Sequence, residues 1–344
     1  MYFRNNNFLI STLIFFFAAS LVFAGGGRRN ATAGAQELLI PVGARSLSLN
    51  GADVAGLSGT EALFVNPAGL GTSPSAVEAF FSHMSYIADI GVSTAAISSK
   101  FEGFGSIAFS VKSIDFGDIP VTTVSNPQGT GSTFSPAYIT LGLSYSNAIT
   151  DRVQIGFTFN VITEKIVNTS ATGFGLNAGV QYNNLAEIPG LKFGLVIRNI
   201  GPQMKFDGSD LLRTASEDNA LRGLQNYKID SAPFELPSQL EMGFAYENEF
   251  SNNFQGLVAT SFEHNNFMDD LIKVGAEFGY QHMFYLRGGL TNASGNNTQE
   301  YQIFGSSFGF GVVLDAGMKI TIDYAYRSSA YFNANNIVNV KLGF

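Results

Sequence analysis

The chain has 344 residues, of which 45% are hydrophobic and 13% charged, with 32 Phe, 13 Tyr, 38 Gly, no Cys and no Trp. A charge density roughly half that of a soluble domain, combined with so many aromatics, excludes a globally disordered chain, and the lack of Cys excludes a disulfide framework, a thiolate zinc site and a lipid-modified cysteine. With 19 Lys+Arg against 27 Asp+Glu and a formal charge of -8, a nucleic-acid partner is excluded as well, because phosphate binding needs basic residues clustered on one face.

At the N-terminus, Arg4 precedes an uncharged apolar run from Phe8 to Phe23, followed by Ala24 and Gly25-Gly26-Gly27-Arg28-Arg29. The short run and its flanks predict a secretory signal over 1–24, cleaved near Ala24, rather than a retained membrane anchor. Residues 25–75 show no sustained alternation. Their central stretch, Ile40 to Gly71, is rich in small residues and carries only Arg45, Asp53 and Glu61 as charges.

From about residue 76 the pattern changes to a period of two, the signature of strands. Leu240, Met242, Phe244 and Tyr246 share one face, opposite Glu241, Gly243, Ala245 and Glu247. Ile272, Val274, Ala276 and Phe278 lie opposite Lys273, Gly275, Glu277 and Gly279. No apolar run downstream of Ala24 reaches about 18 residues, the length a membrane helix needs. A spanning reading therefore requires a closed barrel, the other form that satisfies every backbone group in lipid. Alternation also explains a mean hydropathy of only +0.14, since the lipid face is apolar while the other face is not.

About fourteen such segments of roughly ten residues are predicted, as outer-membrane strands require: 76–86, 91–101, 104–114, 137–147, 153–166, 171–183, 191–200, 237–248, 254–264, 270–281, 283–291, 301–313, 318–328 and 335–344. Short and long connections fall on opposite parities, with the two long ones, 115–136 and 201–236, on the expected extracellular side. A soluble sandwich would also alternate, but its surface would carry more Lys and Glu. The fold class is thus all-β, a transmembrane antiparallel barrel over 76–344. A barrel of this size has a lumen wider than its own side chains fill, so 25–75 is expected to form an N-terminal plug, or hatch.

Alternation points Lys112, Lys192, Arg198, Glu241, Glu247, Lys273, Glu277, Arg287, Lys319, Asp323 and Lys341 inward. Both signs are present, so these charges are expected to pair with one another and with plug charges Arg45, Asp53 and Glu61, where a charge-selective pore would show a constriction of one sign. On the strand 237–248, Phe244→Arg is expected to be costly and Ala245→Arg to be tolerated better. Val338, Val340, Leu342 and Phe344 close the chain on one face, a terminal aromatic strand that serves as a signal to the barrel-assembly machinery. In the loop 201–236, Leu211, Leu212, Leu221 and Leu224 recur at the spacing of a short amphipathic helix, which suits either a lid over the mouth or a docking surface for a partner protein. Of three histidines, His83, His264 and His282, none has metal spacing or a nucleophile-elbow partner. No enzyme activity, metal or cofactor is expected.

The segment from Gly43-Ala44-Arg45 through Asn66-Pro67-Ala68-Gly69-Leu70 resembles the N-terminal signature of the PorV/PorQ family. So do Leu191 to Met204 (LKFGLVIRNIGPQM), Pro233 to Gly243 (PFELPSQLEMG) and the final Leu342-Gly343-Phe344. That family is itself similar to FadL-like barrels, whose hatch carries an Asn-Pro-Ala turn. The resemblance implies a bacterial outer-membrane protein, embedded in outer-membrane lipid and inserted by the barrel-assembly machinery. It implies transport across that membrane as a type IX secretion-associated component that engages machinery proteins or secreted cargo through extracellular loops. The alternative it leaves open is a FadL-like passive channel for fatty acids or other hydrophobic small molecules. For the turn Asn66, Pro67, Ala68, Gly69, seating the plug and gating it are both open.

Overall fold

The computed structural model describes residues 33–216, 223–294 and 303–344, so the signal segment 1–24 and Leu221 lie outside the described residues. Alternating apolar residues extend into long antiparallel strands because each outward side chain meets a neighbour of the same kind across the ladder. There are fourteen in the wall: β1 (Val77–Ser85), β2 (Gly91–Phe101), β3 (Gly105–Asp115), β4 (Ala137–Ala148), β5 (Val153–Ile166), β6 (Thr169–Asn183), β7 (Leu191–Ile200), β8 (Gln239–Ser251), β9 (Phe254–Asn265), β10 (Asp270–Tyr280), β11 (Phe284–Ser294), β12 (Phe304–Asp315), β13 (Lys319–Ser329) and β14 (Asn335–Gly343). Each pairs with its sequence neighbours, and β1 pairs with β14 from Glu78↔Gly343 to Ser85↔Asn336, which closes the barrel.

The two faces of the wall differ as alternation requires. Outward side chains such as Phe109, Leu143, Phe157, Phe159, Phe278, Leu286 and Phe308 are exposed, whereas Ser110, Ser144, Thr158, Asn160, Gln181 and Ser261 are buried inside. An exposed apolar belt around a closed sheet is a lipid-facing surface. At one end the connections are short, covering 102–104, 149–152, 184–190, 252–253, 281–283 and 316–318; the other end carries the long loops 116–136 and 201–238.

One stretch of wall departs from the regular ladder. β7 pairs with β6 only from Leu176 to Asn183, with a register shift between Leu176 and Ala178. There Asn199 adopts φ 59 and its backbone N–H donates to Asn177 Oδ1 at 2.8 Å. Above that point the loop takes over from β7: Asp207-Gly208 pairs with Thr169-Ser170, and Met204 bridges to Phe234.

The rest of this loop corrects the expected amphipathic helix. Ser209–Leu211 forms a single 3-10 turn, and Leu212–Ala215 pairs with Gln225–Lys228 as a hairpin. The leucine spacing fits a helix, but a helix there would have no surface on which to bury its apolar face. Leu212 on this pair is 46% and Leu224 beside it 73% exposed, so both stay in solvent.

Residues 33–76 lie within the barrel. Short elements dominate: 3-10 turns at Gln36–Leu39, Thr60–Phe64 and Pro67–Thr72, and one α-helix, α1 (Ala44–Ser48). They touch strands on every side, α1 against β11 to β14, Thr60–Phe64 against β1 and β2, and Pro67–Thr72 against β3 to β6. Leu47, Leu49, Leu57, Leu63 and Leu70 are all buried. The wall makes room by inward glycines. A Cβ on Gly156 would overlap Pro67, one on Gly179 would overlap Asn66, and one on Gly275 would sit 2.9 Å from the Leu49 Cβ.

This packing qualifies the expected tolerance of arginine at position 245. Ala245 does point inward, but it is 1% exposed and clusters with Leu49, Ala52, Ala55, Leu257 and Ala259. An arginine there would meet packed chain instead of open lumen.

Candidate functional site in the barrel lumen

Two buried ion-pair clusters lie between the wall and the enclosed segment, and the first joins the two directly. In the first, Arg45 of α1 grips Glu277 of β10 with two bonds, Nε to Oε2 at 3.0 Å and Nη2 to Oε1 at 3.1 Å. Arg287 of β11 donates to the same carboxylate at 2.5 Å and to Asp323 of β13 at 2.6 Å. Asn339 of β14 donates to the other oxygen of Asp323 at 3.1 Å, and its own carbonyl accepts the Ala44 N–H at 2.6 Å. The circuit thus returns to the residue beside Arg45. Two guanidinium groups face two carboxylates, the balance that buried charges require.

The second cluster sits on β7 to β10. Arg198 donates to Glu241 at 2.8 Å and to Glu263 at 2.9 Å, while Lys273 donates to the same two acids at 3.0 and 2.6 Å. The Ser261 hydroxyl also donates to Glu241, and the side-chain amides of Gln239 and Asn265 donate to Glu263. Arg198 also reaches the Val65 carbonyl at 3.4 Å, linking the cluster to the enclosed chain. The structure therefore brings Arg198 and Glu241 together in one group, and Arg45, Glu277, Arg287 and Asp323 in another.

Asp53 and Glu61 are held differently. Asp53 accepts the Ser46 hydroxyl at 2.8 Å, and Glu61 accepts the Ser46 N–H at 3.2 Å. Among the described residues neither forms an ion pair. Burial pushes the Glu61 carboxyl up to about 7, helped by the charge of Asp323, and burial also raises Asp53. Glu37 is pushed up to about 8 by burial and then by the charge of Glu164 on β5, and neither of its oxygens finds a partner among the described residues. Beside it, Lys112 of β3 donates to the carbonyls of Glu37 and Ile40, both at 2.6 Å.

Asn66 to Gly69 are fully enclosed. Asn66 Nδ2 donates to the carbonyls of Val54 at 3.0 Å and Val180 at 3.1 Å, and its Oδ1 accepts the Ala68 N–H at 3.2 Å. Pro67 opens the following 3-10 turn, where a missing N–H costs nothing. One side chain thus fastens the turn to a second piece of the enclosed segment and to the wall.

Charges that sequence reasoning missed are Glu78, Glu164, Glu263 and Arg327, all buried. The parity rule reaches them, but the local sequence hides it: Phe80 and Phe81 face opposite sides of β1, and Leu257 points inward on β9 while Val258 points outward. Of the remaining inward candidates, Lys192 and Glu247 pair at 2.7 Å near the short-turn end, and Lys319 is exposed. Leu211, Leu212 and Leu224 belong to the loop and its hairpin, away from both clusters. Phe344 closes the wall through its backbone, its N–H donating to the Val77 carbonyl at 2.9 Å and its carbonyl accepting the Ala76 N–H at 2.9 Å.

Toward the long-loop end, Met84, Val92, Ile114, Ala325 and Ile337 of the wall point inward and are buried with Ala44 and Leu47 of the enclosed segment, and half-buried Tyr86, Ile90, Phe116 and Tyr138 pack against them. Phe116 and Tyr138 meet edge to face with centroids 4.8 Å apart. No group of three or more metal-ligating side chains occurs among the described residues.

No family model matches the sequence, and no curated protein matches it either. Among solved structures, the Pseudomonas putida toluene transporter TodX is similar over 87% of this chain and 96% of its own, with 13% identity and a TM-score of 0.56. A Pseudomonas aeruginosa FadL homologue is similar over 89% of this chain and 98% of its own, with 10% identity and a TM-score of 0.51. What this chain shares with both is the fold.

Proposed function

We propose that the protein is an outer-membrane channel, exported with cleavage near Ala24, that passes hydrophobic or amphipathic small molecules, and that residues 33–76 are its plug. The observation that carries this reading is the apolar contact between plug and wall toward the long-loop end, where Met84, Val92, Ile114 and Ile337 pack on Ala44 and Leu47 and are flanked by Tyr86, Ile90, Phe116 and Tyr138. A water-filled porin lines its lumen with polar groups, whereas an apolar wall holds apolar solutes. The likeness to a protein named a toluene transporter supports the same choice. In this reading the two ion-pair clusters are latches that hold the plug, and transport requires the plug to shift. No catalytic step or cofactor is involved.

The chain lacks cysteine, which permits a direct test. A Cβ built on Gly56 of the plug lies 3.4 Å from the Ala245 Cβ on the wall, close to the roughly 3.5–4.5 Å that a disulfide spans. In proteoliposomes, the Gly56→Cys/Ala245→Cys protein is expected to admit a monoaromatic or fatty-acid probe when reduced and to exclude it when oxidised. Flux equal to that of protein-free vesicles in the reduced state would sink the channel reading.

A second reading follows the PorV/PorQ resemblance, service to type IX secretion. It is favoured by the exposed hairpin, where Leu212, Leu224, Tyr227 and Ile229 offer the desolvatable side chains a protein partner needs. Leu212→Asp with Tyr227→Ser is expected to abolish capture of secretion machinery or cargo while the barrel still folds; unchanged capture counts against this reading.

A further inference from the structure

Both ends of the long loop 201–238 are built into the lumen. Past Ile200, where β7 ends, Met204 turns inward and fills the place that a side chain on Gly173 of β6 would take, since a Cβ there would sit 2.3 Å from the Met204 Cγ. Leu236 enters from the returning arm. These two loop residues are buried together with Ile162 of β5, Ala171 of β6 and Ala35 of the enclosed segment.

Backbone pairing joins the three pieces of chain. Met204 and Phe234 exchange both of their N–H to carbonyl bonds, at 2.9 and 2.8 Å. The next residue serves the enclosed segment: Ala33 runs parallel to Glu235, and the Gly34 N–H donates to the Glu235 carbonyl at 3.1 Å. A side chain at position 34 would collide with the loop, because a Cβ on Gly34 would lie 2.1 Å from the Phe234 ring, which packs in turn on Phe206 with centroids 5.7 Å apart. Farther out the two arms stay joined. The Ser231 hydroxyl donates to the Phe206 carbonyl at 2.5 Å, Lys205 pairs with Asp230 and Lys228 with Asp207, and the Ile229 N–H donates to the Leu211 carbonyl at 2.8 Å. Exposed Asp210 fastens the outgoing arm to the turn between β5 and β6, accepting the Asn168 N–H and Nδ2, both at 3.1 Å.

Extended pieces that share backbone bonds and one apolar cluster open as a unit, because freeing one strips its neighbours of their partners. We infer that the first turn of the enclosed segment, residues 33–40, and the two loop arms, 204–211 and 229–236, form one such unit, a strap that carries displacement of the loop outside the barrel to the segment inside it. The strap is separate from the ion-pair clusters, which hold Arg45 and Val65 farther along the chain. It applies to the channel and the secretion readings alike, and adds to both a route by which contact with the outer loop reaches the lumen.

The test is hydrogen exchange at constant pH on the purified full-length protein in a nonionic detergent. Asp210→Ala removes the two bonds to Asn168 on the outer side of the loop. Exchange in residues 34–40, where the N–H groups of Gly34, Leu38 and Ile40 are bonded, is expected to quicken about fivefold, the scale of one hydrogen bond lost, while residues 44–48 of α1 keep their rate. Quickening confined to 168–170 and 205–211 overturns the coupling, and equal quickening at 44–48 overturns the strap as a separate unit. Gly34→Ala runs the coupling in reverse. The backbone at Gly34 is not left-handed, so the added methyl acts through the Phe234 ring, and both loop arms are expected to exchange faster because coupling is reciprocal; unchanged arms overturn it. A third protein pins the loop. Asp207 and Ser170 are register partners of an antiparallel pair, a spacing that a disulfide spans, and the chain has no other cysteine. In Asp207→Cys/Ser170→Cys, exchange at 34–40 is expected to be slower oxidised than reduced. Equal rates in the two states of that one protein overturn the strap and leave both functional readings standing.

Discussion

The wall and the segment it encloses solve the same physical problem in opposite ways. In the wall, backbone groups are satisfied by the ladder and side chains are free to sort by face, so lipid-facing Phe157 and lumen-facing Thr158 can be neighbours. The enclosed segment has no ladder. Its backbone is satisfied by short turns and by side chains reaching from outside it: Asn339 takes the Ala44 N–H, Glu78 takes the Thr60 N–H at 2.8 Å, and Lys112 caps the carbonyls of Glu37 and Ile40. The wall is specified by local period and the plug by long-range contact, so changes at lumen-facing positions are expected to release the plug while the barrel persists.

The largest effect is expected at the second cluster. Glu241 is wholly buried and shared by Arg198, Lys273 and Ser261. Glu241→Ala leaves two cations with one remaining acid, and breaking a buried pair in this way costs about 3–5 kcal/mol. Proteolysis of residues 33–76 in barrels that still run as heat-modifiable species on gels is the readout. Equal protection in the variant would show that the cluster does not hold the plug. Next comes the pair Phe244 and Ala245, adjacent residues with opposite surroundings. Phe244→Arg, facing lipid, should cost roughly 2–4 kcal/mol if it lies near the midplane, and should impair barrel insertion. Ala245→Arg should spare insertion yet expose the plug to protease, since overpacking of this kind typically costs about 1–3 kcal/mol and here displaces Ala52 and Ala55.

These comparisons also mark how far the sequence could be read. Strand number, face and order were legible because a period of two repeats in one segment after another; β8 and β10 show it almost without interruption. The enclosed segment was legible only as a lack of that period, together with small residues and Asn66-Pro67. Which wall residue meets which plug residue was not legible, because contacts such as Arg45 to Glu277 join positions with no local relation. One trace of those contacts is present in the sequence all the same. Gly156, Gly179 and Gly275 occupy inward strand positions where glycine weakens a ladder, and each leaves room for the enclosed segment, the backbone at Pro67 and Leu49 for the first and last and the Asn66 side chain for Gly179. The pairing of 212–215 with 225–228 was misread because spacing alone counts leucines without asking what would bury them.

A smaller effect is expected from pH. The Glu37 carboxyl is raised from 4.5 to about 8, by burial first and then by Glu164, with Lys112 opposing. The folded plug therefore holds a proton that the released segment gives up, so stability is full below the ordinary carboxyl value and falls as pH rises toward about 8, flattening above it. Hydrogen exchange of residues 35–40 should quicken between pH 5 and pH 8.5 in the unmodified protein, and Glu37→Gln should flatten that dependence. A dependence unchanged in the variant would place its source elsewhere.

The smallest effect on the folded protein is expected at the last residue, which makes it the cleanest separation of assembly from stability. The Phe344 side chain is 61% exposed, and its backbone bonds to Ala76 and Val77 do not need the ring. Near the membrane edge a charged residue on the lipid face costs only about 0–1 kcal/mol, so Phe344→Asp should leave the melting temperature of refolded barrel nearly unchanged. In cells the same substitution should lower the yield of heat-modifiable barrel in the outer membrane, because the terminal aromatic strand is what the assembly machinery would engage. If cellular yield holds, the aromatic end is merely the last turn of the wall. If yield and melting temperature fall together, the ring contributes to packing and the two roles are not separable at this position.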